Sequence, residues 1–451
     1  MIEQYVSKSI ECTCGKVHQS RVETIEIRNG VIETALIAYL KKGNYKKLMV
    51  VCDQNTYHVA AERTCTALTN NQIPYHLHVF TEKMVLPNEH FIGNLTMGMA
   101  LDSDLILAVG SGTINDICRY VSAVANKPYC ILGTAPSMDG YVSAGSALIY
   151  NNLKLTFETH APIAVFLDPE ILVQAPKDMI AAGVGDLLGK INCLTDWKLS
   201  KIVNGEWHCD FISNIVGIAV EKVVEDSVGI ANGDEAAIAD LVEGLLLSGV
   251  CMDFANNSRP ASGCEHHLSH FWEMRYLLEG REAVFHGTKV GIGTIIALKA
   301  YEYVSVLNPD FKAIRKMDRP DFSEWEEHIR EAFLGAADEI VMLEKTCQKN
   351  GFERLSARLA SMEENWSAIQ TLAKTMPASS LVYDILSRLN APTKPKDIGV
   401  EKEMARQAIL YAKEIRDRYT ILQLLWDLGE LERFADLIIC EYYPEEGSGG
   451  A

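Results

Sequence analysis

The chain has 451 residues, with 42 lysines and arginines against 60 aspartates and glutamates, a formal charge of −18. That balance argues against nucleic-acid binding, which needs a basic face to displace counterions, yet it leaves room for a local cationic pocket that holds one phosphate. With 48% hydrophobic and 23% charged residues the composition is that of an ordinary globular protein, and the length calls for two domains. No apolar run approaches the roughly 20 residues that a bilayer-spanning helix needs, and the stretch Met1–Cys12 has no apolar signal core. A cytoplasmic protein without a membrane partner is the expectation. The twelve cysteines are scattered and sit mostly in apolar runs, as small buried hydrophobes do.

In chain order, Cys12-Thr-Cys14-Gly-Lys-Val-His18 comes first. It is either the turn of an N-terminal hairpin or three soft metal ligands short of the fourth that a closed zinc site requires. Lys47–Asp53 then reads as a buried strand, Tyr57–Asn70 as a helix, and His76–Phe80 as a second strand. Asp104–Gly110 is a third strand, followed by a helix to about Ala125 and a fourth strand, Tyr129–Gly133. Continuous apolar strands alternating with helices predict a parallel sheet covered on both faces. Beyond Pro176 the pattern turns helical: Ala236–Ala255 is apolar all round, while Glu401–Ile415 and Arg418–Leu428 are amphipathic, with Pro392 and Pro395 marking a loop. The expected organisation is a Rossmann-like α/β domain over 1–175, an all-α domain over 176–445 and a flexible tail over 446–451, with no internal repeat.

Gly110-Ser111-Gly112-Thr113 closes the third strand and opens a helix. Small residues there let the backbone approach a pyrophosphate, and the helix start offers unpaired N–H groups; the bland alternative is a plain tight turn. Asp53 ends the first strand, where a carboxylate accepts hydrogen bonds from a ribose and disfavours a 2′-phosphate, or simply caps a helix. Thr134-Ala-Pro-Ser137-Met-Asp139-Gly140 supplies hydroxyls and a carboxylate at another strand end. In the helical half, Gly183-Val-Gly-Asp186 places an acid among small residues, Glu265-His266-His267-Leu-Ser-His270 sets two histidines one helical turn apart, and His286-Gly follows. One carboxylate with two imidazoles is the donor set of a catalytic divalent-metal site, which favours the oxygen charge that hydride transfer creates.

These motifs resemble the sn-glycerol-1-phosphate dehydrogenases, within the dehydroquinate synthase-like and iron-containing alcohol dehydrogenase superfamily. The resemblance runs from Lys47 to Tyr419 and rests on Gly110–Asp116, Thr134–Ser146, Gly-Asp186, Arg259-Pro-Ala-Ser-Gly-Cys-Glu-His266, His286-Gly and Ile415-Arg-Asp-Arg-Tyr-Thr420, the last suggesting bacterial members. It implies metal ligands at Asp186, His266 and His286, with zinc the usual ion and nickel or iron in some members. It also implies substrate contact by Asp139 and a pocket position for His270. The Gly110, Ser111, Gly112, Thr113 turn and Asp116 would hold NAD(H) or NADP(H), with Thr134, Ser137 and Ser143 close by. A homodimer is common among bacterial members. The sequence departs from the family at Ser111, where a third glycine is frequent, at Met138, where a histidine is frequent, and in its length.

The function expected is reversible reduction of dihydroxyacetone phosphate to sn-glycerol 1-phosphate, with Arg259, Lys289 and Lys154 as cations for the phosphate. Three alternatives stand beside it: a dehydrogenase of another polyol, a dehydroquinate synthase-like cyclising lyase, and a binding protein on a retired scaffold. Asp186 weighs against the lyase, which usually has a glutamate as first ligand, and the intact ligand set weighs against the retired scaffold.

Overall fold

The computed structural model describes residues 2–151 and 153–444, so the expected tail at 446–451 lies outside the described residues. The chain forms two compact units, Met1–Leu187 with Asn214–Asn257, and Leu188–Ser213 with Ser258–Ala451.

The first unit is built on a six-stranded parallel sheet. Its strands are β3 (Thr24–Ile27), β4 (Leu48–Asp53), β5 (Tyr75–Phe80), β6 (Leu105–Gly110), β7 (Tyr129–Gly133) and β10 (Ala164–Leu167), in the order β3-β10-β7-β6-β4-β5. The N-terminal hairpin pairs β1 (Ser9–Glu11) with β2 (Val17–Gln19), and a second hairpin pairs β8 (Gly145–Tyr150) with β9 (Leu153–Glu158). β4, β6 and β7 are buried along almost their whole length, which is why they read as unbroken apolar runs. After β4 the chain adds β5 on one side and returns to add β6 on the other. That reversal makes the carboxyl ends of β4 and β6 the switch point at which open α/β sheets bind ligands.

The expected domain boundary at 175 and the observed division differ for a packing reason. Most of the Lys177–Leu188 helix and the Glu235–Ala255 helix belong to the sheet unit. Small residues bring them in: a Cβ on Gly244 would lie 2.7 Å from the Leu187 side chain, and one on Gly249 would lie 3.0 Å from the Asp139 carbonyl. The Glu235–Ala255 helix is buried on nearly every side, as its apolar sequence requires.

The second unit is helical. Its centre pairs the Cys264–Leu278 helix with the His286–Ser305 helix, joined by Lys190–Asn204, the long Phe352–Lys374 helix, Ser379–Arg388, Lys402–Tyr411 and Ile421–Leu428. Gly293 permits the central crossing, because a Cβ there would sit 2.5 Å from the Glu265 carbonyl.

Candidate active site

In the first unit, β6 and β7 run in register, Gly110 opposite Gly133, so the turns that leave them emerge side by side. Gly110 lacks room for a side chain, since a Cβ would lie 2.7 Å from Ile114 on the following Gly112–Val124 helix. Ser111 precedes that helix without capping it; its hydroxyl instead sits 2.6 Å from the Ser137 hydroxyl. The N–H groups of the first turn, Thr113 among them, therefore keep no side-chain cap from Ser111, an arrangement that suits a helix start to an anion. The Thr134 N–H donates to the Gly110 carbonyl at 3.1 Å and ties the two turns together. Ser143 closes the second turn by donating to the Gly140 and Gly145 carbonyls.

Asp53 forms a capping box with Thr56, accepting its N–H at 2.7 Å. It also lines a shallow cavity of about 170 Å³ with Asn55, Thr81, Glu82 and Lys83 at the ends of β4 and β5. Asp116 is half-buried and pairs with Arg119 on its own helix. Its carboxylate accepts from Arg119 at 2.7 Å, while burial pushes its pKa up to about 6 despite that guanidinium.

The Asp139 N–H donates to Asp186 Oδ2 at 2.9 Å, and the Ser248 hydroxyl donates to Asp139 Oδ2 at 2.9 Å. Asp139 and Asp186 are both buried. Gly183 explains how the Asp186 helix comes so near the Thr134–Gly140 turn: a Cβ on it would stand 1.8 Å from the Pro136 carbonyl.

In the second unit, His266 and His270 lie one turn apart on the Cys264–Leu278 helix, and His286 starts the next helix. The His266 ring centroid is 5.1 Å from that of His286, and His270 is 5.8 Å from His286. His266 Nδ1 is 2.7 Å from Glu265 Oε1, which also accepts the Gly263 N–H at 2.7 Å. A carboxylate only accepts here, so Nδ1 carries the hydrogen and Nε2 is left as the donor nitrogen for a metal. Asp196 stands behind this helix start. It accepts from the Cys264 and Ile421 N–H groups and from Tyr301, and burial beside Glu265 pushes its pKa up to about 7.

The three expected phosphate cations are placed differently from surface ion pairs. Arg259 is buried, donates to both Glu206 oxygens and reaches the Tyr419 carbonyl at 3.1 Å. Lys289 is buried and meets Glu273 at 3.2 Å and the Val284 carbonyl at 2.9 Å. Lys154 is half-buried on β9, where its charge lowers the Asp116 pKa. The Cys12–His18 segment is a hairpin turn, as one of its two readings had it, with Gly15 at φ +85°. Its soft donors nevertheless converge: Cys14 Sγ is 3.3 Å from His18 Nε2, and His18 Nδ1 is 3.1 Å from the Phe254 carbonyl.

Sequence reasoning passed over Ser248 and Asp196, and it quoted Glu265 within a motif without giving it a role. Ser248 sits in an apolar helix 109 positions from Asp139 and carries no local signal. Glu265 could have been found, since it stands beside a histidine already singled out.

Residues 26–176 match the family model for iron-containing alcohol dehydrogenases. The glycerol-1-phosphate dehydrogenase [NAD(P)+] of Bacillus licheniformis is 33% identical over 431 residues, 95% of each chain. That of Halalkalibacterium halodurans is 32% identical, covering 94% of this chain and 98% of the other. Among solved structures, the sulfoacetaldehyde reductase of Bifidobacterium kashiwanohense in complex with NAD+ matches with a TM-score of 0.61 at 14% identity, covering 94% of this chain and 98% of that one. With the fold shared and a third of the residues identical over nearly the full length, the chain belongs to the glycerol-1-phosphate dehydrogenase family of the iron-containing alcohol dehydrogenases.

Proposed function

We propose that the protein reduces dihydroxyacetone phosphate to sn-glycerol 1-phosphate, reversibly, with NADH or NADPH and one divalent metal ion. The observation that carries this reading is the imidazole pair of the buried His266 and the half-buried His286, with His266 oriented by Glu265, in a chain of this family. The uncapped turn at Gly110–Thr113 supports the dinucleotide, the names of the relatives support glycerol 1-phosphate, and the handedness of the product comes from the family resemblance alone.

Asp186, His266 and His286 would hold the ion. They offer one carboxylate and two imidazoles, a mixed oxygen and nitrogen set that suits zinc, nickel or iron. An ion held there supplies Lewis acidity that favours negative charge on a substrate oxygen. The rest falls to the chain itself. Glu265 fixes the tautomer of His266. Asp139, steadied by Ser248, accepts hydrogen bonds from substrate hydroxyls. Reduction delivers a hydride from the nicotinamide to carbon 2 and a proton to its oxygen; His270, one turn from His266, relays that proton from solvent. Gly110, Ser111, Gly112, Thr113, Thr134, Ser137 and Ser143 shape the pyrophosphate cradle. Asp53 takes the ribose, and Asp116, through Arg119, holds the second turn in place. Arg259, Lys289 and Lys154 are the cations for the phosphate, the first two acting as members of ion pairs with Glu206 and Glu273. No described helix is long and apolar enough to cross a membrane, and a cytoplasmic homodimer is the assembly we propose.

The test is NADH oxidation by zinc- or nickel-loaded protein with dihydroxyacetone phosphate, against dihydroxyacetone. We expect kcat/KM to favour the phosphorylated ketone by about a hundredfold or more, because a site built for a charged group rejects the analogue that lacks it. Equal turnover of both ketones would move the reading to a polyol dehydrogenase. Turnover of neither would reject the substrate.

A further inference from the structure

Behind the segment that leads into the Cys264–Leu278 helix, the second unit contains a cavity of about 450 Å³. We propose that this cavity is a second anion site, separate from the His266 centre, which binds a small phosphate-bearing molecule between Lys349, Arg354, Arg358 and Arg418.

Those four cations line it, against only two carboxylates, Glu206 and Asp417, in a chain whose overall charge is −18. Both carboxylates are already engaged: Glu206 by Arg259, and Asp417 by Arg354 at 3.1 Å. Arg358 is held by the buried Asp427 through two hydrogen bonds of 2.7 Å. Lys349 and Arg418 differ. Lys349 is 3% exposed, and its ammonium donates to the Lys413 and Arg416 carbonyls. Arg418 donates to the Ser262 carbonyl at 3.1 Å and the Ser258 hydroxyl at 2.6 Å. Neither closes an ion pair with a carboxylate among the described residues.

The carboxylates that act on them, Glu414 and Asp417 on Lys349 and Glu206 on Arg418, form no ion pair with them, and a buried cation left without a close partner is costly unless something supplies one. The electrostatics carry that strain: burial pulls the Lys349 pKa down to about 8, and burial together with Arg259 and Arg416 pulls that of Arg418 down to about 10. An anion in the cavity relieves both. The 23-residue Phe352–Lys374 helix begins at the same wall, with Arg354 and Arg358 on its first two turns, so its positive end adds to the field. Guanidinium forks match phosphate oxygens in pairs, which favours phosphate over a monoanion such as chloride. The volume suits a small metabolite. None of the lining residues is His266, His270 or His286, although Arg418 grips the segment Ser258–Ser262 that precedes them.

The experiment is calorimetric titration of the full-length, metal-loaded protein with inorganic phosphate and with pyrophosphate, in the presence of saturating NADH so that the dinucleotide cradle is filled. We expect one pyrophosphate per chain. Arg418→Gln should weaken binding at least tenfold. Arg354→Ala, at a side chain that is 43% exposed and lies outside the core, should weaken it about threefold. NADH affinity should stay the same in both variants. The absence of a calorimetric signal in the wild type overturns the proposal, as does a Kd unchanged in a folded Arg354→Ala protein and in Arg418→Gln. A signal that survives both variants but disappears on adding dihydroxyacetone phosphate would assign the anion to the substrate site instead, and equally overturns it.

Discussion

In the sheet unit, the turns proposed to cradle the cofactor are built from backbone amides, hydroxyls and missing side chains: Gly110 against Ile114, Gly183 against the Pro136 carbonyl, Ser111 against Ser137. In the helical unit the corresponding work is done by buried charge: Glu265 on His266, Asp196 under the helix start, Arg358 on Asp427, Lys413 on Glu414. The first region is specified by space and the second by compensation of charge. Substitutions should therefore injure the two through different physics, a methyl group being the damaging change in one and a lost charge in the other.

The largest expected effect is in the charged region. Asp427 is fully buried and holds Arg358, Tyr419 and Gln423 at 2.7–3.0 Å. Asp427→Asn strands the guanidinium and should cost about 3–5 kcal/mol in urea unfolding. Replacing both partners, Asp427→Leu with Arg358→Met, should recover most of that loss; if the double variant is as unstable as the single one, packing rather than charge governs this unit. Next comes Gly183→Ala in the sheet unit. The new methyl would meet a backbone carbonyl at 1.8 Å, so we expect a loss of about 1–3 kcal/mol and weaker NADH binding in a fluorescence titration. Its counterpart is Gly217→Ala in the Asp210–Glu225 helix, where no neighbour lies within 4 Å; that change should stabilise by about 0.5–1 kcal/mol. Equal effects at the two glycines would break the argument from space. Glu265→Gln keeps the shape and removes the charge behind His266, and should weaken metal affinity about 10–100-fold while leaving NADH affinity alone.

The same contrast explains what could be read in advance. β4, β6 and β7 stood out because both of their faces are covered, and Gly110 stood out because it lies in a glycine turn between strand and helix, which serves either a phosphate or a plain tight turn. β3 and β10 escaped notice: each is four residues long, too short for a periodic signal. β8 alternates in burial, and the β8–β9 hairpin lies outside the main sheet. His266 and His270 were legible from their spacing on one helix face. The supporting layer was not, because Ser248 meets Asp139 across 109 positions and Arg358 meets Asp427 across 69. Such pairs are made by tertiary packing, and one sequence carries no record of which distant positions it joins. Asp53 shows the opposite limit: its capping role with Thr56 was one of two readings, and the local geometry now supports it directly.

The central claim is that a divalent ion at Asp186, His266 and His286 is required for turnover, and the most direct measurement is metal removal and titration. The protein is stripped with a chelator, metal content is checked by mass spectrometry, and NADH oxidation with dihydroxyacetone phosphate is followed as zinc or nickel is added back. We predict that activity vanishes in the stripped protein and returns with one ion per chain, and that His266→Ala neither retains the ion nor recovers more than about a hundredth of the rate. Undiminished turnover in metal-free wild type, or in His266→Ala, would contradict the account.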